Sequence, residues 1–340
     1  MLEIINKTPF QVALIPCMDR DGYDKAAVVI KGTFALQQGA EIPPLSEVPV
    51  PIVWADEFYG EPGTSSVKYE SDTAMVKTAT DVILVGHAYT HRGRQSSVDV
   101  ELQVGPLRKR IRVFGDRRWE RSLGGWRVTD PEPFERMPLV YERAFGGSDQ
   151  SDSDPAKHDF ERRNPVGTGF TLDAPKDQIK GRTLPNLEDP ANLINSWKDR
   201  PRPAGVGYIG RNWVPRITYA GTYDETWQRD RCPLLPTDFE NRYFQGASPE
   251  MSASPYLSGG EAVNLENVSP KGNIRFRLPR RSLSVCVRIQ GMETTAEPVL
   301  DTVVLEPDES RVTLTWRLTI PCPRKFLYIE SLRVSERGAV

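Results

Sequence analysis

The sequence predicts a mainly β protein, with β-rich, sandwich-like units at both ends and a long irregular middle region that contains a few short helices. Two observations predict the ends: apolar and polar residues alternate strictly over Val98–Val104 and again over Val312–Ile320. A third predicts the middle, because residues 124–258 hold 15 of the 29 prolines, and proline removes a ladder donor and restricts the residue before it. We therefore expect an N-terminal unit of residues 1–123, a middle region of residues 124–258 and a C-terminal unit of residues 259–340, with one composite domain as the alternative.

The N-terminal unit contains a predicted hairpin. Along Val98–Val104, valine and leucine occupy one face and acidic or amide side chains the other, which is typical of a half-buried strand. Gly105-Pro106 interrupts this pattern and Arg110–Val113 resumes it, so residues 98–114 predict two strands with a short connection. Lys25–Leu36 and Asp81–Val85 are further strand candidates.

The C-terminal unit repeats the alternation. Ile274–Leu278 alternates with arginines, and Leu283–Ile289 alternates with polar residues that include Cys286. Val299–Leu305 and Val312–Ile320 predict two more strands, joined by a turn at Pro307-Asp308.

The middle region predicts little regular structure. Asp189-Pro190 is typical of a helix start, with an aspartate cap before a proline, and predicts a short helix through Leu193 and Trp197. Asp224–Arg229 predicts a second short helix, and the acidic stretch Ser148–Asp159 predicts an exposed loop. The rest of this region is expected to wrap around the two β-rich ends.

Composition and charge argue against several classes of partner. The chain has 44 basic and 46 acidic residues and a formal net charge of −2, which does not fit a surface committed to nucleic acid or to anionic lipid. The basic stretch Arg108–Arg121 includes Trp119, but its alternation with Ile111 and Val113 favours the solvent-facing side of a strand. We expect no nucleic-acid partner.

Several features predict a cytoplasmic protein. The N-terminal residues lack a secretory pattern, and the chain has no run of about 18 apolar residues that would span a membrane. The four cysteines are far apart and form no CxxC pair, which favours free thiols in a reducing compartment.

The sequence offers few groups for catalysis or metal binding. It has no HExxH, GxSxG, P-loop or GxGxxG motif, and its three histidines are His87, His91 and His158. His87 and His91 follow a predicted strand without a third ligand, and the acidic stretch Ser148–Asp159 lacks the glycine and glutamate of a calcium loop. We expect no cofactor, no metal and no catalytic residues.

The most informative segment is the aromatic block, residues 205–244. It combines large aromatic side chains with arginines but has no sustained period. Such side chains dominate both protein interiors and interface hot spots, so core packing and partner binding stay open as explanations. The candidate partner-binding residues are Tyr208, Arg211, Trp213, Tyr219, Tyr223, Trp227 and Arg229.

Short phrases spread along most of the chain resemble a bacterial family, the domain-of-unknown-function family 2169, and they occur in that family's order. The phrases are NKTPF (Asn6–Phe10), VIKGTF (Val29–Phe34), YGEPG (Tyr59–Gly63), VGPLRK (Val104–Lys109), VFGDR (Val113–Arg117), PLVYERAFGG (Pro138–Gly147), NPVG (Asn164–Gly167), YAGTYD (Tyr219–Asp224), WQR (Trp227–Arg229) and PLLP (Pro233–Pro236).

The resemblance implies a function in type VI secretion. It implies an adaptor or chaperone that binds a toxin effector carrying a spike-tip (PAAR-like) domain, together with the spike protein, and it offers no catalytic residues to carry over. One alternative is a hydrolytic enzyme or toxin of unrecognised type that uses Asp224 and Glu225 near His158. Another is a structural component of the spike assembly.

Overall fold

The fold is given by a computed structural model that describes residues 2–91, 93–172, 179–322 and 325–337. It confirms the predicted mainly β class: within these ranges, three sheets of four to six strands organise the chain. No helix in the described ranges has both the length and the apolar character needed to cross a membrane.

The largest sheet has six strands. Its order is β18 (Ser252–Ala253), β6 (Thr80–Leu84), β23 (Val299–Glu306), β24 (Arg311–Pro321), β3 (Asp24–Ala35) and β2 (Gln11–Met18). β6 and β23 run parallel, and the other neighbours are antiparallel. Four strands predicted from the sequence pattern, β3, β6, β23 and β24, therefore meet in one sheet.

Two further sheets complete the scaffold. The five-stranded antiparallel sheet has the order β17 (Leu187–Glu188), β9 (Leu107–Phe114), β8 (Ser97–Val104), β19 (Ala262–Glu266) and β20 (Ile274–Arg277). β8 and β9 are the predicted hairpin, paired from Ser97 with Phe114 to Val104 with Leu107. The four-stranded sheet has the order β1 (Glu3–Asn6), β25 (Ile329–Glu336), β21 (Leu283–Ile289) and β22 (Met292–Ala296).

Short elements fill the rest of the described chain. The two-stranded pairs are β4 (Glu57–Phe58) with β5 (Val67–Tyr69), β7 (His87–Tyr89) with β12 (Arg136–Pro138), β10 (Trp119–Ser122) with β11 (Gly125–Val128), β13 (Phe145–Gly146) with β16 (Thr168–Gly169), and β14 (Ser148–Asp149) with β15 (Asp159–Phe160). One α-helix, α1 (Glu225–Asp230), is present in the described ranges, with 3₁₀ turns at Tyr141–Arg143, Pro155–Lys157, Arg216–Tyr219, Asn241–Phe244, Pro249–Met251 and Phe326–Tyr328.

Strands from the first and the last parts of the chain share all three large sheets. β1 pairs in parallel with β25, β3 lies beside β24, and β8 lies beside β19. Pairing between residues so distant in sequence means that the scaffold forms only when both ends of the chain are in place.

The hydrophobic core follows the same arrangement. A single cluster of buried residues joins the large sheets and includes Phe34, Leu102, Leu265 and Val285. A smaller cluster consists of Phe145, Ile179, Leu184 and Ile194 of the middle region, together with Trp119 of the N-terminal unit. The middle region therefore has some apolar packing of its own.

One local prediction for the middle region is wrong, and a second is confirmed only in part. No helix follows Asp189-Pro190, because the Asp189 carboxylate accepts a hydrogen bond from the Ala191 N–H at 2.9 Å and closes a turn directly after β17. The acidic stretch Ser148–Asp159 is not wholly an exposed loop. Asp149 is buried and pairs with Arg182 at 3.0 Å, and β14 and β15 form a short hairpin there.

One face of the six-stranded sheet is buried, although the alternation of polar and apolar residues along β24 predicts that this face is exposed to solvent. Thr313, Thr315 and Arg317 alternate with apolar residues along β24, yet they are 2%, 2% and 3% exposed. Segments from the first 80 residues and from the aromatic block cover them; the Asp72 C=O, for example, accepts a hydrogen bond from Arg317 at 2.8 Å. We call this surface the polar face.

Candidate partner-binding surface

The outer part of the aromatic block is built around α1, where the sequence predicted a short helix. Asp224 caps it: its carboxylate accepts a hydrogen bond from the Trp227 N–H at 2.8 Å, which satisfies one of the free donors at a helix start. The Trp227 indole N–H donates to the Leu234 C=O at 2.8 Å. The helix and the loop after it are therefore held together.

Several large side chains of this region remain in contact with solvent. Tyr223 is 53% exposed and Ile217 is 42% exposed. The Tyr223 and Trp227 rings pack edge to face with centroids 4.7 Å apart, an arrangement that adds about 0.5–1.5 kcal/mol to their area burial. Tyr219 is half-buried under the Arg242 guanidinium, which lies 4.1 Å from the ring centroid. We call Ile217, Tyr219, Tyr223 and Trp227 the aromatic rim.

Two of the candidate contact residues are core residues instead. Tyr208 and Trp213 are each 4% exposed and belong to the main hydrophobic cluster. The Trp213 ring packs edge to face on Tyr141 with centroids 5.4 Å apart. In this conformation they offer almost no area to a partner, and their packing is that of core residues.

Arg211 is partly exposed and forms several hydrogen bonds within the protein. Its guanidinium donates to Glu70 and to Asp56, both at 3.2 Å, and to the Ser71 hydroxyl at 2.9 Å. Arg216 contacts the same Glu70 carboxylate at 2.6 Å and is 3% exposed. The two arginines anchor the aromatic block to the segment that covers the polar face.

Arg229 lies on the solvent side of α1. Its side chain is 70% exposed and forms a bidentate pair with the neighbouring Asp230 at 2.7 Å. An exposed pair of this kind contributes little to stability, so the Arg229 guanidinium can exchange Asp230 for another acid without loss to the fold.

A polar cavity of about 290 Å³ lies over the polar face, and sequence reasoning did not find it. Its lining includes the charged groups Lys31, Glu57, Glu70, Asp72, Glu306 and Arg311. Lys31 donates to Asp72 at 2.8 Å, and Arg311 forms a bidentate pair with Glu306 at 2.7 Å. These two pairs satisfy the charges of four of the lining groups within the protein, as buried charges require.

The acids and bases of the polar face are joined by hydrogen bonds and ion pairs that set their charge states. Burial lowers the pKa of Lys77, but Asp81 and Glu70 outweigh it and raise the pKa overall, so the ammonium stays charged. Burial and the hydrogen bond to Glu306 raise the pKa of Tyr69, so the phenol stays protonated. A charge inside an apolar run, such as Lys31 within Ala26–Phe34, is the sequence pattern that could have indicated this network.

Three of the other candidate groups for chemistry have structural partners. His87 Nδ1 lies 2.6 Å from Asp308, and His158 Nε2 lies 2.8 Å from the Asp152 C=O. Asp224 is the cap of α1. Within the described ranges, no group of three or more His, Cys, Asp or Glu side chains is placed to hold a metal ion.

Comparison with known proteins identifies a family. No curated protein and no solved structure matches the chain. The family model of DUF2169, described as "Uncharacterized protein conserved in bacteria", matches residues 21–317 and so takes in most of the sequence. The chain therefore belongs to the bacterial family DUF2169.

Proposed function

We propose that this protein is a non-enzymatic adaptor or chaperone of a type VI secretion system. It acts in the bacterial cytoplasm, binds a toxin effector that carries a spike-tip (PAAR-like) domain, and helps to load that effector on the spike protein. The resemblance of the sequence phrases to such adaptors motivates the proposal.

The observation that carries the proposal is the aromatic rim. Tyr223 leaves half of its side chain in water, although a tyrosine buried in a core would bring more stability. Aromatic side chains that are exposed and held in place are typical of interface hot spots. Arg229, which lies on α1 with Trp227, supplies a charge that can pair with an acid on the effector.

The test is co-expression with an effector that carries a PAAR-like domain, followed by size-exclusion chromatography with light scattering. We expect a stable stoichiometric complex, and at least a tenfold loss of affinity in the Tyr223→Ala/Trp227→Ala variant, the size of about one hot-spot residue. Trp54→Ala is the matched control, since Trp54 is 63% exposed and lies outside the aromatic block. Circular dichroism must show that both variants remain folded.

Other outcomes would replace the proposal. Two separate peaks with every such effector and with the spike protein would refute it. Toxicity of the protein expressed alone, abolished by Glu225→Gln, would favour the enzyme or toxin. Assembly with the spike protein in the absence of any effector would favour a structural component.

A further inference from the structure

The five-stranded sheet ends at β20, and a cleft of about 560 Å³ lies along this edge. The opposite wall of the cleft is the chain segment of residues 36–40. Sheet edges present unpaired N–H and C=O groups and can accept an additional strand. None of the residues discussed for the adaptor proposal lines this cleft.

The backbone direction of β20 shows which groups face the cleft. Leu278 N–H donates to the Glu261 C=O at 2.9 Å, on the β19 side, whereas Arg277 N–H donates to the Glu41 C=O at 2.7 Å, on the outer side. Because neighbouring residues of a strand direct their backbone groups to opposite sides, the N–H and C=O of Arg275 also point outward. The outer edge is thus paired at Arg277 and open at Arg275.

The charged side chains that line the cleft are all basic. Its lining contains two ionisable side chains, Lys271 and Arg275, and no acid. Neither cation has an ion-pair partner in the part of the chain that the structure describes, and the Arg275 Nε donates to the neutral Asn264 amide oxygen at 3.1 Å. Charges with this arrangement favour an acidic ligand.

Apolar residues also line the cleft at this edge. Phe276 is 6% exposed and Ile274 packs against the main core, while Leu36 and Pro43 also line the cleft. Side chains alternate across a strand, so Ile274 and Phe276 lie on one face of β20 and Arg275 on the other. A strand added here would meet apolar side chains on one face and a cation on the other.

We propose that the β20 edge binds an extended segment of a partner protein by strand addition, with acidic side chains of that segment beside Arg275 and apolar ones beside Ile274. Backbone hydrogen bonds to Arg275 supply affinity, and the alternating side chains supply specificity, as in other strand-addition complexes. The inference does not depend on the adaptor proposal, because it uses different residues and a different probe.

The experiment measures fluorescence anisotropy of a labelled heptapeptide, SVEVEVS, titrated with the full-length protein. We expect saturable binding tighter than about 1 mM, weaker binding at high salt, and no binding of the SVKVKVS analogue. Arg275→Glu should weaken binding at least about tenfold through charge reversal. Arg275→Pro removes the outward N–H but no backbone hydrogen bond to β19, so it should also abolish binding.

The control is Arg127→Glu, which changes an arginine that is 67% exposed on the separate hairpin β10–β11 and should leave peptide binding intact. Thermal unfolding of each variant shows whether the fold is kept. Equal binding of both peptides, no binding of either, or full binding by Arg275→Glu would overturn the proposal. Light scattering that shows a dimer lost in Arg275→Glu would overturn it too, because the occupant of the edge would then be a second copy of the chain.

Discussion

The ion pair between Asp301 and Arg317 gives a direct test of the buried polar face. Asp301 is fully buried, and the Arg317 Nε donates to its carboxylate at 2.5 Å. Arg317 also donates to the C=O groups of Asp72 and Ala74 at 2.8 and 2.6 Å. The arginine therefore joins β23 and β24 to the segment that covers them.

Asp301→Asn keeps the side-chain shape but removes the charge that compensates the buried guanidinium. Breaking a buried pair from one side costs about 3–5 kcal/mol, a large fraction of a total stability of about 5–15 kcal/mol. At about 2–4 °C per kcal/mol, the melting temperature should fall by roughly 6–20 °C. Arg317→Met should cost a similar amount. The double variant should cost less than the sum of the two, with a coupling energy of at least about 2 kcal/mol.

The assay is urea unfolding of the four proteins of this cycle, followed by circular dichroism. The matched control is Glu120→Gln, which breaks the equally short Arg127–Glu120 pair at 2.6 Å, where the side chains are 67% and 37% exposed. That change should cost less than about 1 kcal/mol. A loss below about 1 kcal/mol for Asp301→Asn, or additive effects in the double variant, would show that solvent reaches this pair and that the polar face is not dry.

Three further predictions test separate parts of the structure. Gly146→Ala places a Cβ 2.1 Å from the Asn164 backbone oxygen at a φ of +154°, and it should lower the free energy of unfolding in urea by more than about 2 kcal/mol. Gly39→Ala is the control: its Cβ meets nothing within 4 Å, and it should lower the free energy of unfolding by about 1 kcal/mol. Burial raises the pKa of Asp149, but hydrogen bonds outweigh this effect and lower the pKa from 3.8 to about 2. The ionised carboxylate therefore stabilises the fold above about pH 4, and this stabilisation is lost toward pH 2. Asp149→Asn should reduce the fall in melting temperature between about pH 4 and pH 2. Trp213→Ala should cost about 3–5 kcal/mol as a core truncation, and a loss of partner binding without destabilisation would contradict its assignment to the core.

The sequence predicts the strands well where the alternation of polar and apolar residues matches the faces that are exposed and buried in the fold. Val98–Val104 alternates because the even-numbered residues face the core and the odd-numbered ones lie beside arginines of β9, as in the Arg112–Asp99 pair at 2.7 Å. The helix α1 is predictable for the same reason, since Asp224 caps it locally. Pairing between the two ends of the chain, such as β3 with β24, depends on contacts that no local pattern contains.

Prediction fails where a distant segment supplies the partner. The helix expected after Asp189-Pro190 is replaced by a turn, because Glu188 is drawn into β17 and its carboxylate accepts a hydrogen bond from the Ile194 N–H at 2.7 Å. Thr313 and Thr315 of β24 alternate with apolar residues as on a solvent-facing strand, yet they are buried, because segments without any periodic pattern cover them. Composition could identify the aromatic block, but only packing separates its core residue Trp213 from its exposed residue Tyr223.

The arginines of the aromatic block connect the buried network to the exposed rim. Glu70 accepts hydrogen bonds from Arg211 and Arg216, and its other oxygen lies 3.9 Å from the Lys77 ammonium. Arg216 also donates to the C=O groups of Ile209 and Tyr243, on either side of the rim residues in the sequence. The inner side of the block is thus held by charge-assisted hydrogen bonds, which are stronger than neutral ones. A surface that is held rigid from its inner side loses less conformational freedom when a partner binds, so the hydrogen bonds of Arg211 and Arg216 favour the use of the rim as a binding surface.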